Sequence, residues 1–391
     1  MKLSNSGLNK YLECARAFKL HYRKRLRSVY KSSALLFGGA IDQGLNEILT
    51  GKGVEAAQTA FLGHWTTGTD NTGKNFEVCL SPFITYSDSD FDFDLLKRED
   101  FALISSNYDD TQPNISSNIF DIINYVKEQK KVLGSVSKID KTILTHYNLI
   151  NWCVLKNKGQ MMMQAYADQV MPLFKRVLDV QRDVTLDSNC GDAIGGIIDL
   201  VVELQDGSIA IIDNKTAAWD YDEDSVKTSQ QLTIYKIILN NLYNDGKNAY
   251  KVDKCGFAVI KKKPIKTITK VCKTCGHEGQ GKHETCDNTP LDDNGKPIKT
   301  KRCNGEWDKQ IFFSFETQFI VDEITENQED IVFETINVAT DMINKEIFLP
   351  NMNSCIGKFG RCVYFDFCHN GSMEALTEVE DKKNEQNKET K

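Results

Sequence analysis

The chain has 391 residues, 40% hydrophobic and 26% charged with only 7 Pro, a composition that suits a folded protein of one large domain or two smaller ones. Met1 to Phe18 lacks the apolar stretch of a secretory signal, and no apolar run approaches the ~20 residues that span a bilayer, so an intracellular protein with no membrane partner is expected. The net charge of −7 gives no general pull on nucleic acid, and the 12 Cys of a reducing compartment point to metal ligation rather than disulfides.

In chain order, Leu8, Tyr11, Leu12, Ala15, Phe18 and Tyr22 recur at helical spacing and predict a helix over Leu8 to Lys31. Its lysines and arginines (Lys19, Arg23, Lys24, Arg25, Arg27, Lys31) read as a solvated face. A second helix is predicted from about Ala40 to Leu49. Residues 64 to 150 are less regular. Within them Asp88, Asp90, Asp92, Asp94 and Glu99 imitate a calcium loop, but Phe93 stands where that loop needs Gly, so an exposed acidic loop is expected. Met161 to about Val184 reads as a long helix with Met162, Tyr166, Val170 and Phe174 in the core and a bend at Pro172.

The pattern then changes to strands. Ala193 to Leu204 is rich in Ile and Val, Gln205-Asp206-Gly207 is a hairpin turn, and Ser208 to Thr216 returns. Ser225 to about Asn241 reads as a helix, Gly256 to Lys261 as a short strand and Ile311 to Phe319 as another. Gln328 to about Lys345 is helical. Lys261, Lys262, Lys263, Lys266 and Lys270 form a second basic cluster, again read as a solvated face. The tail from Thr377 to Lys391 is charged, poor in apolar residues and expected to be disordered.

The hairpin carries the chemistry. Side chains alternate along a strand, so Asp213 and Lys215 share a side, and the turn brings Asp199 alongside. Two carboxylates and a lysine at strand ends suit a hard cation such as Mg²⁺, which takes few protein ligands and keeps room for water and phosphate. Gln231 and Tyr235, four apart on the next helix, either brace this site or hold DNA.

Gly196-Ile197-Ile198-Asp199, then Asp213-Asn214-Lys215, then Gln231 to Tyr235 resembles the PD-(D/E)XK nuclease superfamily. The nearest likeness is the RecB-type branch shared with AddB, the CRISPR-adaptation exonucleases and many phage and bacterial proteins. That resemblance implies an α/β fold, a restriction-endonuclease-like mixed sheet flanked by helices. It implies Mg²⁺ or Mn²⁺ on Asp199 and Asp213, with the Asn214 carbonyl as a third ligand and Lys215 catalytic. In Phe37-Gly38-Gly39-Ala40-Ile41-Asp42, Asp42 stands where the pattern carries an upstream His ligand. Asp still suits a hard cation.

The cysteines form two groups. The resemblance implies that Cys14 joins Cys355, Cys362 and Cys368 around a 4Fe–4S cluster, a set that zinc can also occupy. The first spacing within the C-terminal trio is longer than the pattern's. Cys272-Lys273-Thr274-Cys275, with Cys286 and Cys303, reads as a structural zinc ribbon inserted at 271–307, with His277 and His283 as substitute ligands. Cys79, Cys153, Cys190 and Cys255 look isolated and are read as packing residues.

The whole is expected to be a nuclease domain over 1–375, interrupted by the ribbon, with the tail at 377–391. The expected function is metal-dependent cleavage of DNA, exonucleolytic by resemblance, in replication, recombination or defence. DNA is the expected partner, with a helicase or single-strand-annealing protein beside it. Two alternatives stay open: a non-catalytic DNA-binding or scaffold subunit of a recombination complex with a degenerate nuclease fold, and a protein-binding role for the ribbon.

Overall fold

The computed structural model describes residues 2–379, apart from 70–74, 80, 82–83, 87–94, 107–123, 125–127, 129–140, 188–192, 280–283, 287, 290–297, 299–301 and 358–359. The acidic residues 88 to 94, Cys190, His283 and the tail beyond Val379 lie outside the described residues. The helices used below are α1 (Asn5–Glu13), α2 (Ser33–Leu49), α3 (Val54–Thr66), α4 (Arg98–Ser106), α5 (Lys141–Gln169), α6 (Gln230–Asn244), α7 (Glu326–Asn344) and α8 (Phe365–Asn370). The strands are β1 (Lys2–Leu3), β2 (Leu26–Ser28), β3 (Phe174–Asp187), β4 (Ala193–Leu204), β5 (Ile209–Ala217), β6 (Lys254–Lys261), β7 (Ile265–Cys272), β8 (Glu278–Gly279), β9 (Trp307–Ser314), β10 (Thr317–Asp322) and β11 (Leu376–Glu378). Among the described residues no helix is long and apolar enough to cross a membrane.

The central sheet has six strands in the order β1-β4-β5-β6-β10, with β3 along the other edge of β4. The pairs β1–β4 and β5–β6 are parallel, and β3–β4, β4–β5 and β6–β10 are antiparallel. The mixed α/β sheet expected from the sequence is therefore present. Both faces are covered. Leu200, Val202, Ala210, Ile212, Ala258 and Ile260 pack under α2, α3 and α5. The alternate residues Val201, Ile211, Phe257 and Val259 pack under α1, α6 and α7. The period-2 alternation of β-structure sorts these side chains.

The N-terminal helix is shorter than its periodicity suggests. It stops at Glu13, restarts at Ala15–Phe18 and runs into a π-helical turn at Lys19–Arg23 before β2. Cys14 is the extended residue between the first two pieces. The long helix predicted for Met161 to Val184 is corrected more strongly. Helix α5 ends at Gln169, a 3₁₀ turn holds Pro172, and Phe174 onward is β3. Proline cannot continue the helical ladder, and beyond it the chain finds a strand partner in β4. The single strand predicted over Ile311 to Phe319 is two strands in two different sheets, broken at buried Phe315 and Glu316. Helix α6 starts at Gln230 rather than Ser225 because Ser229 caps it, its side chain accepting from Leu232 N at 3.3 Å.

Asp100 of α4 is buried and clamps α4 to α5 through Lys97 N at 2.8 Å, Asn157 Nδ2 at 2.6 Å and the Lys156 ammonium. Cys79, Cys153 and Cys255 are buried as expected, although Cys79 and Cys153 are close enough to influence each other's ionisation. The chain ends meet: β11 pairs with β2, so Thr377 and Glu378, at the start of the segment read as tail, are strand residues.

Candidate active site

The site lies where the sheet forks. The β4–β5 ladder runs from Glu203↔Ile209 to Leu200↔Ile212 and stops there. Strand β1 takes over the same edge of β4 at Ala193 and Ile194. Asp199 and Asp213 are the first residues past the last β4–β5 pair, while β5 stays paired with β6 through Ala217. An opening in a sheet puts carboxylates beside unpaired backbone without unfolding either strand.

Each side chain is held from a different layer. Asp213 is 2% exposed, and its Oδ1 accepts from Gln231 Nε2 of α6 at 3.0 Å. Gln231 Nε2 also lies 3.4 Å from the Tyr235 hydroxyl one helical turn on. Asp199 Oδ2 accepts from Asn214 N at 3.1 Å. The Asn214 side chain points to the opposite face, where its Oδ1 accepts from the buried Tyr166 hydroxyl of α5 at 2.9 Å. Gly196 is small because the Tyr235 ring lies over it: a Cβ there would sit 2.9 Å from the ring. The Gly-x-x-Asp and Gln-x-x-x-Tyr elements of the sequence are thus packed against each other.

The electrostatics show a site short of positive charge. Lys215 Nζ is 2.5 Å from the buried Asp213 Oδ2 and pairs with it. Burial pulls the Lys215 ammonium down, but Asp213 and Asp199 outweigh it and hold it above the usual lysine range. Burial, with Asp213 and Asp42 nearby, pushes the Asp199 carboxyl up to about 7. Burial does the same to Asp42 of α2, again to about 7, with Asp213 adding to it and Lys215 opposing. Asp42 therefore shares the field of Asp199, Asp213 and Lys215 although it lies far upstream. Three crowded acids, two of them pushed up by burial and mutual repulsion, against one lysine form a donor set that fits a hard divalent cation.

Residues 145–369, more than half of the chain, match the PD-(D/E)XK nuclease superfamily. The chain belongs to that superfamily. Membership points to a hydrolase acting on nucleic acid with divalent metal, with DNA as the implied substrate. Comparison with curated proteins finds no match.

Two residues of this nuclease-fold site went unread in the sequence. Tyr166 reads as one more core aromatic at helical spacing, and only the fold shows its hydroxyl bracing Asn214. Gln181 of β3 sits between the pairs Val180↔Leu200 and Arg182↔Ile198, directly opposite Asp199, with its Nε2 3.5 Å from Asp199 Oδ1. Its φ of 50° is a left-handed conformation that a non-glycine residue in a strand rarely holds. Nothing in the sequence marks it. Gln181→Gly relieves the strain and removes the amide, so we expect an unchanged or higher Tm with severalfold slower cleavage. Stability and activity falling together would make Gln181 a structural residue only.

The superfamily member also carries two sulfur clusters. In the arm formed by β7, β8 and β9, Cys272, Cys275, Cys286 and Cys303 bring their sulfurs within 4.8 Å of one another. The Cys272–Cys303 and Cys275–Cys286 separations are 3.5 and 3.7 Å. Four thiolates at ~2.3 Å around a tetrahedral zinc would stand about 3.8 Å apart, so the set fits a single ion. Desolvation pushes the Cys272 thiol up, but the N–H groups of Cys275 and Thr274 outweigh it and bring it down to about 6. His277 instead lies beside Trp307, ring centroids 6.3 Å apart.

Cys14, Cys355, Cys362 and Cys368 line one cavity of about 190 Å³ between the two chain ends. Burial raises the Cys362 thiol, and the other three thiols raise it further. The rim is tied by Asn351 N to Cys14 Sγ at 3.4 Å and by Ser354 Oγ to Glu13 O at 2.8 Å. Among the described residues, the compact four-sulfur set belongs to the arm, and the Cys14 quartet is spread around its cavity. A wider ring of thiols suits a cluster bulkier than one ion.

Proposed function

We propose that the protein is a Mg²⁺- or Mn²⁺-dependent deoxyribonuclease of the RecB-type branch that degrades DNA from its ends in phage or bacterial replication, recombination or defence. The observation that carries this reading is the fork: Asp213, buried and paired with Lys215, shares its field with the crowded acids Asp199 and Asp42. A divalent metal on Asp42, Asp199 and Asp213, with the Asn214 carbonyl as a further donor, would supply Lewis acidity and offset phosphate charge.

The chain's own groups do the rest. Gln231 fixes the rotamer of Asp213, and Asn214 N and Gln181 fix Asp199. Lys215, held protonated by its acidic neighbours, presents an ammonium to the negative charge that builds on the phosphate during attack by water. Tyr235 packs Gln231 from behind, so both act as positioning residues. A helicase or single-strand-annealing protein would supply the single-stranded ends.

The test is to incubate purified protein with end-labelled linear single strands, linear duplex and closed circles, with Mg²⁺ or Mn²⁺. Shortening of linear DNA with circles spared supports the reading. No cleavage with either metal would sink it in favour of a scaffold subunit.

The Cys14 quartet supports a 4Fe–4S cluster, and the arm supports structural zinc. Anaerobically purified protein should be brown, with visible absorption and iron, and Cys362→Ala should bleach it while zinc stays. Colourless, iron-free protein that cleaves DNA would remove the cluster.

A further inference from the structure

The arm is the largest feature that the site leaves unexplained. It leaves the sheet at the end of β6, runs out along β7, returns along β9 and re-enters at β10. Its pairing is unbroken from Ile265↔Ser314 to Cys272↔Trp307. The register fixes what each face carries. One face pairs Lys266 with Phe313, Ile268 with Ile311, and Lys270 with Lys309. The other pairs Thr267 with Phe312 and Thr269 with Gln310. The first face alternates lysine with apolar surface, and Lys266 Nζ lies 5.9 Å over the Phe313 ring.

The chain as a whole is at −7, yet β7 and β9 carry Lys266, Lys270 and Lys309 against one acid, Asp308. Lys270 and Lys309 are directly opposed and put two positive charges at one level of the arm. Lys266 and Lys270 are about 13 Å apart along the strand, a line of charge rather than a point. Ile268 on this face is 45% exposed.

The root of the arm touches the active-site strand. Lys262 N donates to Ala217 O at 2.7 Å, two residues beyond Lys215. Trp219 follows in the same loop and is 77% exposed. A water-exposed indole at the root of the arm and a lysine-and-apolar face along it offer stacking for bases and charge for a backbone. Duplex DNA hides its bases from a stacking platform while an unpaired strand offers both bases and a line of phosphates, so the chemistry favours one unpaired strand.

We propose that the lysine face of the arm, with Trp219 at its root, holds the single-stranded part of the nucleic-acid substrate and leads it to the fork. The inference rests on the nuclease reading for the direction of travel, but binding can be measured without cleavage. The probe is a fluorescein-labelled single-stranded oligonucleotide, with the matched duplex beside it. Anisotropy is followed at several salt concentrations without added divalent metal, on zinc-replete full-length protein.

The triple variant Lys266→Ala, Lys270→Ala and Lys309→Ala should bind the single strand at least tenfold more weakly. Each lost phosphate contact contributes about 0.7 to the slope of log Kd against log salt, so the slope should fall by about 2. Trp219→Ala should weaken binding roughly tenfold with the slope unchanged, because stacking carries no charge. The triple Lys→Arg variant should bind like the parent, as should Phe312→Ser, which changes the opposite face.

Parent-like affinity and slope in the triple alanine variant would overturn the proposal, as would an equal loss in Phe312→Ser or binding of duplex alone. If the parent cleaves DNA but the alanine variant binds normally, the arm assignment fails and the nuclease reading stands. If binding depends on the lysines but the parent never cleaves, the arm assignment stands and the nuclease reading fails.

Discussion

Asp213→Asn should reduce DNA cleavage by roughly three orders of magnitude or more while leaving the protein folded. The substitution keeps the shape of the side chain and an oxygen to accept from Gln231 Nε2, the 3.0 Å contact that orients it. It replaces Oδ2, the oxygen paired with Lys215, with an amide that faces the Lys215 ammonium donor to donor. Removing one of three crowded carboxylates also relieves Asp42 and Asp199, whose carboxyls burial and mutual repulsion hold near 7. Tm should therefore hold or rise as activity disappears, as expected where catalytic groups are mutually strained.

Lys215→Ala separates the roles. It should slow turnover by about 10²- to 10³-fold, the scale of losing one charge-stabilising group. Calorimetric titration with Mn²⁺ should show binding weakened strongly in Asp213→Asn and little in Lys215→Ala. Cleavage by Asp213→Asn at the parent's rate would overturn the site assignment.

Gly305→Ala should strip zinc from the arm as completely as Cys303→Ser, although it removes no thiol. A Cβ at Gly305 would lie 2.6 Å from Cys272 Sγ and 2.5 Å from Thr274 Oγ1. Backbone sits on backbone here: Cys286 N donates to Gly305 O and Asn304 N to Cys286 O, both at 2.9 Å. The added methyl must push apart the two turns that carry the thiols. A small three-stranded ribbon with Ile268 45% and Phe312 53% exposed has little core of its own, so a bound zinc would supply the folding energy, on the order of 10 kcal/mol or more in isolated zinc-finger peptides.

Metal analysis should find one zinc fewer in each variant. Limited proteolysis should cut them between residues 273 and 306 while the sheet and its helices stay resistant. The division follows from β7 pairing with both β8 and β9 rather than with the central sheet. Gly305→Ala protein that keeps its zinc and resists protease would show that the ribbon needs no such close approach.

Much of the site was legible because its signals are local. Asp213 and Lys215 are two apart on one strand, Gln231 and Tyr235 four apart on one helix, and Asp206-Gly207 turns one strand onto the next. Strand and helix periodicity alone put these residues on shared faces. The Cys-x-x-Cys pair of the arm is local in the same way. The expectations for Asp42 and the Cys14 quartet came from family pattern, since no spacing rule links residues hundreds of positions apart.

The tertiary structure decided the rest. Whether β4 and β5 stay paired past Leu200↔Ile212 is not written in either strand's own pattern; β5 stays with β6 while the far end of β4 takes β1, and the fork opens between them. Whether residues 174 to 184 continue a helix or become a strand depends on Pro172 and on β4 waiting alongside. Gln181 faces Asp199 only through an irregular stretch of β3, and its φ of 50° is held by the ladder on either side. A sequence specifies which side chains recur on a face. Which faces meet, and where a ladder breaks to crowd carboxylates together, is settled by long-range packing.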